Sequence, residues 1–156
     1  MVSALLVSAL LASSGPVGTA SGGATGCYGT TVTMKYAYAA PGDCVGHPKV
    51  SSVGQFVVLL SAAPVAEDEL AEVPGKWHWM FVRGGQISLC FQDGPYGWAE
   101  VHTGSGTERL DLDEKAKRPV IKDGRVTGTV QTHGDDACRV DVSFDAPLRA
   151  PAAAGK

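Results

Sequence analysis

The side chains best suited to move protons near neutral pH are four histidines, His47, His78, His102 and His133. They are scattered, and no pair of them has a ligand or catalytic spacing. Carboxylates stand near two of them. Glu100 is two residues from His102, so an extended chain puts both on one face, and Asp93 lies between His78 and His102. A small hydrolase would draw on His78 or His102 with Glu100 or Asp93. A glycosidase would need Glu100 and Asp93 at a separation only the fold can set. No G-x-S-x-G, H-E-x-x-H or phosphate-cradling glycine loop occurs, and Gly104-Ser105-Gly106 lacks the strand-turn-helix context of a nucleophile elbow. The sequence therefore assigns no catalytic residue and favours a non-enzymatic role.

The four cysteines, Cys27, Cys44, Cys90 and Cys138, are an even set, which suits two disulfides in an oxidising compartment. Proximity favours Cys27–Cys44, leaving Cys90–Cys138. The first would close a loop of roughly 17 residues and contribute about 3 kcal/mol. There is no C-x-x-C, and no Cys/His pair has metal-ligand spacing, so neither a metal nor a cofactor is expected. The acidic cluster Glu67, Asp68 and Glu69 reads as the solvated first turn of a helix rather than a cation site.

Aromatic residues offer the one feature with binding chemistry. Trp77, Trp79 and Phe81 alternate, so in a strand they share a face, and Trp98 on a following strand could join them. Such a row could stack on sugar rings or on the apolar surface of a partner protein. The same row would equally serve as the inner face of a sandwich core.

The elements that must position these residues read as strands. Lys76 to Gln92 has the pattern of a β-hairpin about Gly84-Gly85, placing Val82 opposite Ile87, Met80 opposite Leu89 and His78 opposite Phe91. Trp77, Trp79, Phe81, Ser88, Cys90 and Gln92 then share the other face. Thr30 to Ala39 is a first strand with Val32, Met34, Tyr36 and Tyr38 on one face. Val53 to Leu60 is a continuous apolar run, expected to be buried on both sides. Ala63 to Glu72 suits a short helix. Further strands cover Tyr96 to Thr103, Glu108 to Asp113 at an edge, Val120-Ile121, Arg125 to Thr132 and Cys138 to Asp145. Twenty glycines and nine prolines among β-branched runs fit many short strands. The fold class expected is all-β: an antiparallel sandwich, immunoglobulin-like or a partly closed barrel, with one short helix.

Residues 1–20 resemble a secretory signal peptide, with an apolar run from Ala4 to Ala12 and small residues, Gly18 and Ala20, before a cleavage point after Ala20. The basic start of such a signal is missing, so the true start is upstream or the signal is poor. Ala24-Thr25-Gly26-Cys27 is a partial lipobox, which opens lipid anchoring through Cys27, although Cys27 lies about 14 residues beyond the apolar run. Residues 21–28 read as a flexible leader, 29–149 as the β-sandwich domain and 150–156 as a disordered tail. No transmembrane helix is expected after the leader. A formal net charge of −3 gives no strong pull toward nucleic acid or an anionic membrane.

Three stretches carry a resemblance: Lys35-Tyr36-Ala37-Tyr38-Ala39; Val57-Val58-Leu59-Leu60-Ser61 followed by Pro64; and Gly124 to Val130 with Phe144-Asp145-Ala146-Pro147-Leu148. In order and spacing the chain from Gly29 to Leu148 resembles uncharacterised exported β-rich proteins of Gram-negative bacteria. It departs from them in its four cysteines and in Trp77-His78-Trp79. The resemblance implies export, to the periplasm or beyond, and a β architecture; it brings no catalytic residues. The role expected is binding of a cell-envelope glycan or protein through the aromatic face, with a small envelope hydrolase or a secreted inhibitor of a protease or lysozyme as alternatives.

Overall fold

Glycines bend this chain into its shape. The computed structural model describes residues 17–42, 55–71, 84–92, 97–112, 117–132 and 137–149, and all structural statements concern these. The strands are β1 (Gly18–Cys27), β2 (Thr30–Thr33), β3 (Tyr36–Pro41), β4 (Phe56–Ser61), β5 (Gln86–Phe91), β6 (Gly97–Thr103), β7 (Gly106–Leu112), β8 (Val120–Lys122), β9 (Arg125–Gln131) and β10 (Arg139–Pro147). One short helix, α1 (Glu67–Leu70), follows β4. All ten strands belong to one sheet, in the order β7-β6-β5-β4-β3-β1-β10-β9-β8, with β2 added to β1. Its ladders are antiparallel, and the sheet curls into a half-barrel. It is one continuous sheet rather than the two that define an immunoglobulin-like sandwich.

The curl begins in β1. Gly22 and Gly26 take φ of 81° and 78°, a region open to glycine at little cost. The β1–β2 register shifts between Ala24 and Cys27, the mark of a bulge, which sharpens local twist. Tyr28 and Gly29, both with positive φ, close this hairpin, as Asp123 and Gly124 close β8 on β9. Two consecutive residues with positive φ match the turn whose twist suits a hairpin.

The concave side holds the main core: Met34, Val58, Leu60, Ile87, Leu89, Val101, Val126, Val130, Val140, Val142 and Phe144 are all buried in it. The alternation expected for the two C-terminal strands is present, with Val126, Val130, Val140, Val142 and Phe144 inward. A second cluster lies on the convex side of β3 to β6, where Tyr38, Val57, Leu59, Cys90 and Trp98 pack with Leu70 of α1 and with Val65. β4 is therefore buried on both faces, as its unbroken apolar run predicts. The Tyr38 hydroxyl accepts a hydrogen bond from the Val65 N–H at 3.0 Å, fixing the segment before α1 on this face.

Three expectations give way to the structure. Residues 21–27, read as part of a flexible leader, form most of β1, an interior strand. Small residues are required there because β1 is flanked closely on both edges: a Cβ at Gly18 would sit 2.5 Å from the Asp145 carbonyl oxygen and 2.6 Å from that of Ala37. The strand expected over Thr30 to Ala39 breaks at Met34-Lys35. Val32 and Met34 face the concave core, whereas Tyr36 and Tyr38 face the convex cluster. At the break the chain moves in beside β4, with Lys35 N–H donating to the Ser61 carbonyl at 3.0 Å. The hairpin register expected for Ile87 to Phe91 is also replaced, because β5 is bonded to β4 on one edge and β6 on the other. Residues 72–83, including His78, lie outside the described residues.

Candidate functional site

On the convex side of β5, β6 and β7 the registers set polar groups in rows. Gln86 faces His102, and His102 faces Thr107; Ser88 faces Glu100, and Glu100 faces Arg109; Cys90 faces Trp98, and Trp98 faces Asp111. His102 Nδ1 lies 3.0 Å from the Thr107 hydroxyl, and Nε2 lies 3.4 Å from the Ser88 hydroxyl. This is the only place among the described residues where a serine meets a histidine. Both side chains are buried, each residue being 2% exposed. A hydroxyl so enclosed has no approach for a substrate, so the contacts act as structural hydrogen bonds that satisfy buried polar atoms. The Gln86 Oε1 beside them is buried without a partner.

Glu100 is only partly covered. Burial pushes its carboxyl above the ordinary carboxylate value, and the Arg109 charge opposes the rise. The Arg109 guanidinium sits 4.0 Å over the Trp98 ring, a cation–π contact. Trp98 is 9% exposed and belongs to the convex cluster. Its ring is thus taken up by packing and by Arg109, and offers no open stacking platform. The other aromatic candidates, Trp77, Trp79 and Phe81, lie outside the described residues, as do His47, Asp93 and His133.

The cysteine pairing differs from the one proximity favours. Cys27 bonds to Cys138, across a sequence separation of 111, with Cα atoms 4.2 Å apart. The curled sheet brings the end of β1 against the start of β10, and spatial closeness overrides closeness in sequence. Cys90 is also disulfide-bonded; Cys44 lies outside the described residues. A sulfur committed to Cys138 is not available for a lipid thioether, so the lipobox reading of Cys27 is withdrawn. The Glu108 carboxylate lies within 4.8 Å of both sulfurs, but a disulfide presents no thiolate to a metal ion.

An open groove crosses the convex side of β2, β1 and β10, with a volume of 490 Å³. Gly22 and Gly23 make its floor, Thr31 and Thr33 one wall, and Arg139 and Asp141 the other, with Thr25 at the rim. Thr25, Thr31, Thr33, Arg139 and Asp141 all point to solvent. The Gln131 amide donates to Asp141 at 3.2 Å, and the Thr129 and Ser143 hydroxyls meet at 3.0 Å, extending the polar surface across β9. The groove offers methyl and Cα–H surface, hydroxyls, a guanidinium and a carboxylate side by side. Its volume falls within the range of small-molecule sites, about 300–1,000 Å³.

Sequence reasoning missed this groove because half of it lies in the stretch taken for a leader. The signal was present in part: strand alternation sets Thr31 and Thr33 on the face opposite Val32 and Met34. Comparison with protein-family models, curated proteins and solved structures gave no match. Among the described residues no helix is long and apolar enough to cross a membrane.

Proposed function

We propose that this is an exported, disulfide-stabilised β protein that binds a cell-envelope glycan without catalysing a reaction, and that the groove over β2, β1 and β10 is its contact surface. The observation that carries the reading is the groove's chemistry: a bare glycine floor between threonine hydroxyls and the Arg139/Asp141 pair. Sugars present C–H faces and rings of hydroxyls, which such a floor and such walls can meet together. Export draws support from the apolar run ending at Ala12, from the resemblance to exported proteins and from the Cys27–Cys138 disulfide.

The aromatic face remains part of the reading only through Trp77, Trp79 and Phe81, since Trp98 is packed under Arg109. A hydrolase reading is weakened, because the contact between Ser88 and His102 is enclosed on all sides. The two are separated by incubating the oxidised protein with peptidoglycan sacculi, chitin and cellulose. Co-sedimentation and released sugar are both measured. Binding without release, weakened in Arg139→Ala and in Thr33→Val, is the expected result. Release of sugar that disappears in Ser88→Ala would replace binding by hydrolysis. Stoichiometric block of lysozyme or a protease would replace it by inhibition.

A further inference from the structure

The way β1 enters the sheet restricts where a leader can be removed. Gly18 and Thr19 pair with Ala37 and Tyr36 of β3 on one edge, and Thr19 pairs with Asp145 of β10 on the other. Ala20 continues this pairing, facing Phe144, and donates its N–H to the Lys35 carbonyl at 3.0 Å. Just upstream of Gly18 the slot closes. β10 runs on to meet β3 directly, through a parallel bridge between Ala39 and Leu148 and an Arg149 N–H bond to the Ala39 carbonyl at 2.8 Å. Gly18 itself fills the last gap, with backbone atoms of Asp145, Ala146 and Ala37 within 2.6 Å of where a Cβ would stand. Val17, by contrast, is 46% exposed.

A cut after Ala20 would therefore remove the residues that separate β3 from β10 and close the sheet. The mature chain has to keep Gly18, and its new terminus has to lie at Gly18 or before. Between the end of the apolar run at Ala12 and Val17, few bonds have small residues at both −3 and −1. Cuts after Ala12 and Ser13 place Leu10 and Leu11 at −3. A cut after Gly15 would break a bond to the Pro16 nitrogen, which carries no N–H. Cuts after Pro16 and Val17 put a large or rigid residue at −1. The cut after Ser14 has Ala12 at −3 and Ser14 at −1.

We infer that the Ser14–Gly15 bond is the processing site, cleaved by a signal peptidase of the exporting cell. Water adds across that peptide bond; Ser14 leaves as the carboxyl end of the leader, and Gly15 becomes the free amino terminus. This inference rests on the export reading, and the test keeps the two apart. The full chain is expressed in an exporting bacterium, and intact mass and the N-terminal peptide are measured on the exported fraction. A mature chain beginning at Gly15 is expected, with precursor accumulating in Ser14→Leu and normal processing in Ala20→Val. An exported chain beginning at Ser21, or at any residue other than Gly15, overturns the inference and leaves export standing. Full-length chain held inside the cell even when a basic start is supplied ahead of the apolar run overturns both.

Discussion

The double variant Cys27→Ala/Cys138→Ala probes the closure of the half-barrel and leaves the Cys90 bond in place. The native bond closes a loop spanning a separation of 111 residues. Chain-entropy reasoning gives about 5 kcal/mol for a loop of that size, against about 3 kcal/mol for the roughly 17-residue loop of a Cys27–Cys44 pair. Both cysteines are buried in the concave core, so lost packing adds to the loss rather than offsetting it. With a urea slope of about 1.5–2 kcal/mol/M, the unfolding midpoint should fall by about 2.5–3.3 M. The assay is equilibrium urea unfolding followed by far-UV circular dichroism on oxidised protein. A variant already unfolded without urea agrees with a loss at least this large. A loss below about 2 kcal/mol would refute the reasoning, because the bond would then not be tying the ends of β1 and β10. A non-reducing peptide map that yields a Cys27–Cys44 peptide would refute it independently.

Gly22→Ala should destabilise by about 2 kcal/mol or more, read by the same unfolding, since φ is 81° and the new methyl would collide with the Asp141 carbonyl oxygen. Tyr38→Phe removes the hydroxyl that accepts the Val65 N–H and should cost about 1 kcal/mol, with slower-exchanging amides of residues 62–71 becoming faster in hydrogen exchange. Glu100→Gln should raise stability near pH 7. The folded state holds the Glu100 proton more tightly than the unfolded state, so its ionisation weighs against folding above the raised value. That penalty is relieved as pH falls, and the difference between variant and wild type should vanish near and below the ordinary carboxylate value of 4.5; a gap that widens on acidification would contradict this. Arg139→Ala should weaken glycan retention by about tenfold, the loss of one charge-assisted hydrogen bond, with an unchanged urea midpoint.

Strand periodicity made much of the sheet legible. The alternation of Val126 and Val130, and of Val140, Val142 and Phe144, points to the core in the structure as in the sequence, and the unbroken apolar run of β4 is buried on both sides. A short helix forms within the stretch Ala63 to Glu72, over Glu67 to Leu70. What sequence could not convey was how local segments meet. Β5 has a favourable turn at Gly84-Gly85, yet long-range pairing with β4 and β6 takes both its edges. Gly and small residues over Gly18 to Gly26 carry the composition of a linker, and only their neighbours' backbones reveal that the same smallness is demanded by close strand packing. The cysteine pairing was hidden for a similar reason, since the curl brings Cys27 to Cys138 and not to its nearer neighbour. Of the candidate site, Ser88, Glu100, His102 and Trp98 do share one face, but burial takes Ser88, His102 and Trp98 out of reach and leaves Glu100 only partly covered, a property that residue type and spacing do not encode.

The most direct test of the account is co-sedimentation of the oxidised protein with peptidoglycan sacculi, chitin and cellulose, comparing wild type with Arg139→Ala and with Trp98→Phe. Retention on at least one glycan, weakened by Arg139→Ala and unaffected by Trp98→Phe, is the predicted result. Absence of retention on every glycan, or retention that depends on Trp98 and not on Arg139, would contradict a glycan-binding groove over β2, β1 and β10.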